Sequence, residues 1–426
     1  MRAYPERRKR WYDLIRQEGI FTWDWYYGEE YALADLHPIP REFRGELATA
    51  TEALGHVFAR VVEVTRRGEE SLFAELGLPQ ETWQAVRVTL DPKYPTVIGR
   101  FDFARTPEGL KMMEFNSDTP TGVVEAFYVN GKICELGGME DPNAGMDQQI
   151  RQAFSTAIRS YRKRGFSCDG IFFSALGWHE EDAGTTRYLM EKSALPARFV
   201  PLEDLRVTPD RMKARWEDEE IPVDVLYRLH ALEILAGDTD EDGYPTGAHM
   251  LDQVAQGKLL LINPPSALLS QTKAMQALLW NLYEENRFLT PEEREIVATY
   301  MLPTYLENRF LGKEPYVVKP IFGREGGAVR LCDAQGRVEH QDSDLLYADQ
   351  PMIYQKRVEL EPVEIETLKG PFHGHLLWGS FLMEGKSSAI LARVDGPITG
   401  NLSYFLPVGY PRRTDKSGHG GDGSKD

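Results

Sequence analysis

Residues 97–126 read VIGRFDFARTPEGLKMMEFNSDTPTGVVEA, and the alternation within this stretch decides the fold. Ile98, Arg100 and Asp102 fall on one side of an extended chain and Phe101 and Phe103 on the other, the period of a strand. Thr106-Pro107-Glu108-Gly109 carries type I turn chemistry, with proline second and glycine fourth. A second alternation places Met113 and Phe115 on one side and Glu114 and Asn116 on the other. The spacing predicts a hairpin that presents Arg100, Asp102, Glu114 and Asn116 on one face. Two carboxylates and an amide oxygen are hard donors that suit Mg²⁺, with substrate phosphates completing its shell. A guanidinium beside them would meet a phosphoryl group through paired hydrogen bonds. Spacing alone equally allows a half-solvated hairpin with an Arg–Asp surface pair.

The chain of 426 residues has room for two or three domains and a large core. Its 42% hydrophobic and 27% charged residues are ordinary for a globular protein. No apolar run reaches the roughly 18 residues of a membrane span, and the basic start, MRAYPERRKRW, leads into no signal core. Cys134, Cys168 and Cys332 are odd in number, far apart and without CxxC spacing. They argue against a disulfide framework or thiolate zinc site and fit a reducing cytosol, so a cytoplasmic protein is expected. The net charge of −17, from 66 acids against 49 bases, excludes general nucleic-acid binding. An anionic ligand would need a few lysines and arginines gathered locally, whereas a cationic one would be drawn by the whole field.

In chain order, residues 5–19 predict an amphipathic helix with Trp11, Leu14 and Ile15 on one side. Residues 44–67 predict a longer one carrying Leu47, Ala50, Leu54, Val57, Val61 and Val64. Thr119-Pro120-Thr121-Gly122 reads as a polar turn opening a helix through Val123–Tyr128. From about Met146 to Pro264, helices alternate with short apolar runs: Ile171–Leu176, Arg198–Leu202, Val223–Leu229 and Leu259–Ile262. That alternation predicts an α/β unit with a largely parallel sheet. From Ser266 a helix is expected through Lys273 to about Asn286, and Thr290-Pro291-Glu292-Glu293 is a capping box starting another. The alternating runs after Tyr316 predict one antiparallel sheet. The Gly-rich polar stretch after Pro411 reads as a disordered tail.

Lys319 ends the run Tyr316-Val317-Val318 and feeds Ile321-Phe322-Gly323-Arg324-Glu325-Gly326-Gly327. Glycines there would let backbone N–H groups approach phosphate oxygens, although neither a Walker A loop nor GxGxxG is present. Arg393-Val394-Asp395-Gly396-Pro397-Ile398-Thr399-Gly400-Asn401 closes the last long strand in a turn suited to phosphate or ribose. Asp238–Gly243 begins like a calcium loop, but His249 stands at its twelfth position and Pro245 interrupts it, so it is rejected as an EF-hand. His373 and His375 lack a third ligand, and no GxSxG marks a serine nucleophile.

Taken together, RFD, MEFNSDTPTGVVEA, a lysine before LLW, KPIFGREGG, IYQ and R-x-D-x-x-IT-x-N-x-S-x-F-x-P resemble the synthetase part of the glutathionylspermidine synthase-like family. The resemblance spans most of residues 8–408 and does not extend to that family's amidase domain. It implies a circularly permuted ATP-grasp in the α/β (α+β) class, with an inserted α/β domain like a pre-ATP-grasp unit. The expected division is 1–145 for helices and hairpin, 146–264 for the inserted domain, 265–410 for the lysine and Gly-rich region, and 411–426 for the tail. It further implies ATP and Mg²⁺ as cofactors, with Asp102, Glu114 and Asn116 as metal ligands and Arg100 and Arg393 as catalytic arginines. Lys273, Lys319 and the loop Gly323, Arg324, Glu325 and Gly326 would contact ATP phosphates, together with Arg100 and Asp102. Tyr354 and Gln355 would meet the adenine, with Ile398, Thr399 and Gly400 closing over the nucleotide. Thr119, Glu180 and Glu181 would contact substrate. At Tyr227–Glu233 the chain reads YRLHALE, with His230 and Leu232 where relatives keep larger aromatics. The implied activity is an ATP-dependent carboxylate–amine ligase acting on small molecules through an acylphosphate. An ATP-binding regulatory protein or kinase-like phosphotransferase on the same fold, and an acidic scaffold for a cationic partner, are the rivals.

Overall fold

In the computed structural model, which describes residues 3–412 apart from 325, 343, 346 and 401, the hairpin comprises Ile98–Thr106 and Gly109–Asn116. Arg100 lies opposite Asn116 and Asp102 opposite Glu114. The register shifts between Asp102 and Phe103, so that Phe103 pairs with Met112. Met112 is therefore the buried methionine, and Met113 faces the polar side instead of the core. A one-residue bulge reverses alternation locally, which is why the sequence reading of Met113 is corrected here. Beneath the face, Phe101 and Phe115 stack with centroids 3.8 Å apart, and Phe58 meets both rings edge-on. Each such pair contributes about 0.5–1.5 kcal/mol beyond its buried area.

Phe58 comes from the helix Arg41–Thr65, whose Phe43, Leu47, Ala50, Leu54, Val57 and Val61 are buried. Val64 departs from the expected stripe and is 54% exposed, because Val62 and Thr65 take the buried positions of the last turn. The first helix, Tyr4–Gln17, buries Tyr4, Arg8, Trp11, Tyr12 and Ile15 and leaves Leu14 outside. Arg8 tolerates burial because Asp24 and Glu30 lie 3.0 and 2.7 Å from its guanidinium.

The C-terminal strands divide between two antiparallel sheets, where one was expected. The hairpin joins the first, in the order Tyr404–Leu406, Lys386–Asp395, Gly370–Met383, Ile98–Thr106, Gly109–Asn116, with Glu361–Thr367 also on Gly370–Met383. The second runs Thr304–Tyr305, Met352–Lys356, Tyr316–Pro320, Arg330–Cys332, Val338–Gln341. Periodicity identifies strands, but it carries no information on which of two sheets each one joins. The middle of the chain contains the expected parallel sheet, ordered Leu260–Ile262, Val225–Leu229, Ile171–Ala175, Ala197–Pro201. It also holds a small antiparallel sheet of Leu205–Val207, Met212–Trp216 and Glu219–Pro222 that the reading missed. Thr290 and Glu293 make both bonds of the capping box. Among the described residues no helix is long and apolar enough to cross a membrane. Of the expected tail, everything from residue 413 onward lies outside the described residues.

One buried junction ties the parallel sheet to the hairpin. Asn263 accepts the N–H groups of Val97 and Ile98 through its side-chain oxygen and donates to the carbonyls of Ile98 and Asp118. Asp118 meets Arg228 through two bonds of 2.6 and 3.0 Å, both side chains being fully buried. It also accepts the Leu232 N–H. Replacing one partner would leave the other as an uncompensated buried charge. Arg228→Met is expected to lose about 3–5 kcal/mol of stability in urea unfolding, and Asp118→Leu in the same chain to restore part of it. A single variant with unchanged midpoint would contradict this account.

Candidate active site

Lys273 does not sit within a continuous helix. Leu268–Gln271 ends at an extended Thr272, and Ala274–Glu284 begins anew with Lys273 at its N-cap. Its backbone N–H donates to Ile321 O, which ties this break to the end of the lysine strand. The ammonium donates to Gly323 O at 2.6 Å and lies 3.4 Å from Glu114. Lys319, on Tyr316–Pro320, donates to Gln355 at 2.8 Å and to Met113 O at 3.3 Å. The hairpin face therefore looks directly at both lysines.

Arg100 grips Asp102 with two bonds of 2.7 and 3.0 Å and donates to Thr121 O. Arg393 reaches the same carboxylate at 2.8 Å. The Asn116 amide spans Asp102 and Glu114, at 3.3 and 3.1 Å. Arg100, Glu114, Asn116, Lys273, Lys319 and Arg393 line a cleft, with Asp102 fully buried behind them, and the apolar part of the lining is made by Met113, Val317, Leu331, Val358, Leu360 and Leu377. Ile398, Thr399, Gly323, Arg324 and Gly326 close over it. Gly326 has φ +75°, and an added Cβ would stand 2.7 Å from Thr399 O, so the two covering turns meet only at a glycine.

The charges interlock. Burial alone would raise the Glu114 carboxyl, but Lys273, the Asn116 amide, Lys319 and Arg393 overcome it and hold the group far below the usual carboxylate range. Burial brings Lys319 down to about 8, with Glu114 opposing the fall and Lys273 adding to it. Burial also works against the charge of Arg100, and Asp102, with Glu114 and Tyr31 behind it, more than offsets this. Among the described residues, Arg100, Lys273, Lys319 and Arg393 meet the carboxylates of Asp102 and Glu114 at this cleft. A strongly acidic chain has thus gathered a local excess of positive charge, as an anionic ligand requires.

The donor types are those that suit Mg²⁺, with both Asp102 oxygens engaged by Arg100 and Arg393 in this structure. Two carboxylates and an amide converge within hydrogen-bond reach of one another, and turning the amide offers its oxygen. Among the described residues no group of three or more His, Cys, Asp or Glu could hold a metal. The set is complete only with Asn116 and with ligand oxygens.

Other expected residues are placed differently. Thr119 lines the cleft and accepts from Arg324 at 2.9 Å, and Arg324 also donates to Glu233 at 2.9 Å. Glu325 lies outside the described residues. Gln355 is buried behind Lys319, donating to Gln276 and Thr304, and does not line the cleft. Tyr354 pairs with Val318 and packs on the opposite face of the sheet beside Tyr316. Neither is placed to meet a purine in the cleft, since side chains alternate across a strand. The sequence reading overlooked Val358 and Leu360, which follow the strand Met352–Lys356 and line the cleft. Gly400 donates its N–H to Asp395 and stands behind the lining residues Ile398 and Thr399. Glu180 and Glu181 open the helix Glu180–Ser193 outside the cleft lining, where Glu180 accepts from Thr22. Also overlooked were Tyr31, Glu125 and Glu233, which no local pattern marks.

A family model described as "Glutathionylspermidine synthase preATP-grasp" matches residues 2–409. A Haemophilus influenzae protein named as a candidate acid–amine ligase is 23% identical over 409 residues, covering 93% of each chain. The Escherichia coli bifunctional glutathionylspermidine synthetase/amidase is 23% identical over 351 residues, which is 73% of this chain and 50% of that protein. Trypanothione synthetase of Crithidia fasciculata is 23% identical over 347 residues, 75% of this chain and 49% of that one. The chain thus spans about half the length of these two enzymes. Among solved structures, a glutathione synthetase-like effector of Globodera pallida in its apo form superposes with a TM-score of 0.58 at 13% identity, over 95% of this chain and 96% of that one. The mixed helix-and-sheet architecture is therefore that of the glutathione synthetase-like fold, and the whole-length match places this chain in the glutathionylspermidine synthase preATP-grasp family.

Proposed function

We propose that this protein is an ATP-dependent carboxylate–amine ligase built as a circularly permuted ATP-grasp. The observation that carries the reading is the convergence of Arg100, Asp102, Glu114, Asn116, Lys273, Lys319 and Arg393 at a cleft whose lining is otherwise partly apolar. A purine would occupy the apolar part and the phosphates the polar part. Asp102, Glu114 and Asn116 would hold Mg²⁺, which would neutralise charge on the terminal phosphates. Lys273 and Lys319 orient the γ-phosphate, and Arg100 and Arg393 stabilise the charge that develops as it passes to a substrate carboxylate. The resulting acylphosphate is attacked by an amine, which expels phosphate and leaves an amide. Residues 1–145 would supply the metal-binding hairpin, 146–264 the inserted substrate domain and 265–410 the lysines and covering loop. Arg324, held by Thr119 and Glu233, would link that loop to the substrate side.

Small carboxylates crossed with amines, scored for ADP release with products identified by mass, test the reading. ADP, free phosphate and an amide are expected. A phosphorylated product without free phosphate would mark a kinase-like phosphotransferase instead. Because the chain reads YRLHALE at residues 227–233, where flat aromatic walls would favour an ammonium, glutathione with spermidine is expected to show poor kcat/KM.

Glu114→Ala should lower ATP turnover by about 100-fold or more, and should lower the thermal midpoint as well, since Lys273 and Lys319 lose the carboxylate that offsets their buried charge; Glu114→Gln, which keeps the shape of the side chain, should lose turnover likewise. Near-parental turnover would remove Glu114 from the metal site.

Lys319 gives a pH signature. Its pKa of about 8 in the nucleotide-free protein rises when phosphates approach, so nucleotide binding near pH 8–9 should take up protons. Calorimetric titration with a non-hydrolysable ATP analogue, in two buffers of different ionisation enthalpy, should show that uptake, and Lys319→Met should abolish it. Without nucleotide the unfolded chain keeps this proton to higher pH than the folded one. The contribution of Lys319 to stability therefore grows from about pH 8 towards the ordinary lysine range.

A further inference from the structure

Resting on the ligase reading, one requirement of the second half-reaction is unmet by the residues named so far. An alkylamine arrives at neutral pH as an ammonium and must lose a proton before its nitrogen can attack an acylphosphate. Lysines and arginines surround the phosphoryl end, and Asp102 and Glu114 are committed to cations there.

Glu125 is fully buried, at the start of the π-helical turn Glu125–Val129. One carboxylate oxygen accepts from Trp23 Nε1 at 2.9 Å and from the Tyr31 hydroxyl at 3.1 Å. Its other oxygen is buried and has no hydrogen-bond partner among the described residues. A buried, half-satisfied carboxylate costs stability and calls for an explanation. The position lies one turn beyond a contact of Arg100. Arg100 donates to Thr121 O at 2.6 Å, and an added Cβ at Gly122 would stand 3.5 Å from the same guanidinium. Ala126 bonds back to Gly122, so Glu125 lies on the first turn after that contact. On the other side, Trp23 packs on the helix of Glu180 and Glu181, where a Cβ at Gly184 would strike its ring at 2.3 Å. The Tyr31 hydroxyl, bound to Glu125, is within electrostatic range of both Glu181 and Arg393.

We propose that Glu125, acting through the Tyr31 hydroxyl, receives the proton that the attacking amine must lose. The ammonium gives a proton to the Tyr31 oxygen while the Tyr31 proton passes to Glu125. The amine becomes neutral, tyrosine is regenerated and the carboxylate ends as a carboxylic acid. The free nitrogen pair then forms the C–N bond, the C–O bond to phosphate breaks, and the second N–H proton leaves with the departing phosphate. Burial raises the Glu125 carboxyl above its usual range, against the Trp23 and Tyr31 hydrogen bonds and the charge of Arg100, which makes the carboxylate a better proton acceptor. Burial likewise raises Tyr31, with Glu125 and Glu181 adding to it and Arg393 opposing, so the hydroxyl keeps its proton until it is relayed. Among the described residues, Tyr12 also faces Glu125, buried on the first helix and raised well above the usual tyrosine range chiefly by that burial.

Hydroxylamine separates this role from a structural one, because it is uncharged at neutral pH and attacks without first losing a proton. The full chain, with ATP, Mg²⁺ and whichever small carboxylate of the screen gives the fastest ADP release, is compared with 1,3-diaminopropane and with hydroxylamine. Glu125→Gln is expected to lower the diamine rate by about 100-fold and to leave hydroxamate formation close to the parent's. Its residual diamine rate should climb with pH as solvent deprotonates the amine. Tyr31→Phe should show the same split. Equal loss with both nucleophiles, or an undiminished diamine rate, would overturn the inference while leaving the ligase reading intact. No ADP release from the parent with any carboxylate and nucleophile would overturn the ligase reading and this inference with it.

Discussion

The Asp118–Arg228 pair is the constraint on which the rest of the site depends. It has no access to solvent, so it exists only because each charge satisfies the other and the surrounding backbone supplies the remaining bonds. Asp118 follows the hairpin strand that ends at Asn116, and Arg228 ends a strand of the parallel sheet. The pair therefore clamps the acid-bearing face to the central sheet. Gln271 adds to the clamp by accepting the N–H groups of Ser117 and Asp118 from the segment that leads to Lys273. Three distant parts of the chain thus meet around four residues.

That meeting explains what was legible in the sequence. The hairpin, the parallel strands and the capping box each depend on neighbours within a few residues, and local period or turn chemistry reveals such features. The face shared by Arg100, Asp102, Glu114 and Asn116 was readable for the same reason. The break at Thr272 was not, because the helix pattern continues through it and only the bond from Lys273 to Ile321 O shows why the chain bends. The role of Gln355 beside Lys319 was not legible for a similar reason: its motif position suggested the nucleotide, and only the fold shows that it is buried as the acceptor of the Lys319 ammonium. Glu125 lies inside the stretch that decided the fold, yet its partners Trp23 and Tyr31 come from a loop near the start of the chain.

The cleft is organised around compensation. Asp102 accepts from two arginines, Glu114 faces Lys273, and Lys319 leans on neutral oxygens alone. Every cation is held in place before a ligand arrives, so little reorganisation is left for the moment of phosphoryl transfer. The neutral partners of Lys319 also leave its charge the least stabilised in the cleft, which makes it the group most responsive to an incoming polyanion.

The strand order has a consequence for how such a chain is made. Asp102 lies opposite Gly379 and Arg393 opposite Phe405, so the hairpin emerges early while the strands that cover its edge come near the end. Until then an open β-edge awaits its cover, the condition in which nascent proteins associate wrongly. The helix Arg41–Thr65, already synthesised, shields the Phe101–Phe115 stack through Phe58. Biosynthesis therefore separates the two tasks: the early helix protects the apolar face, and the last strands complete the site.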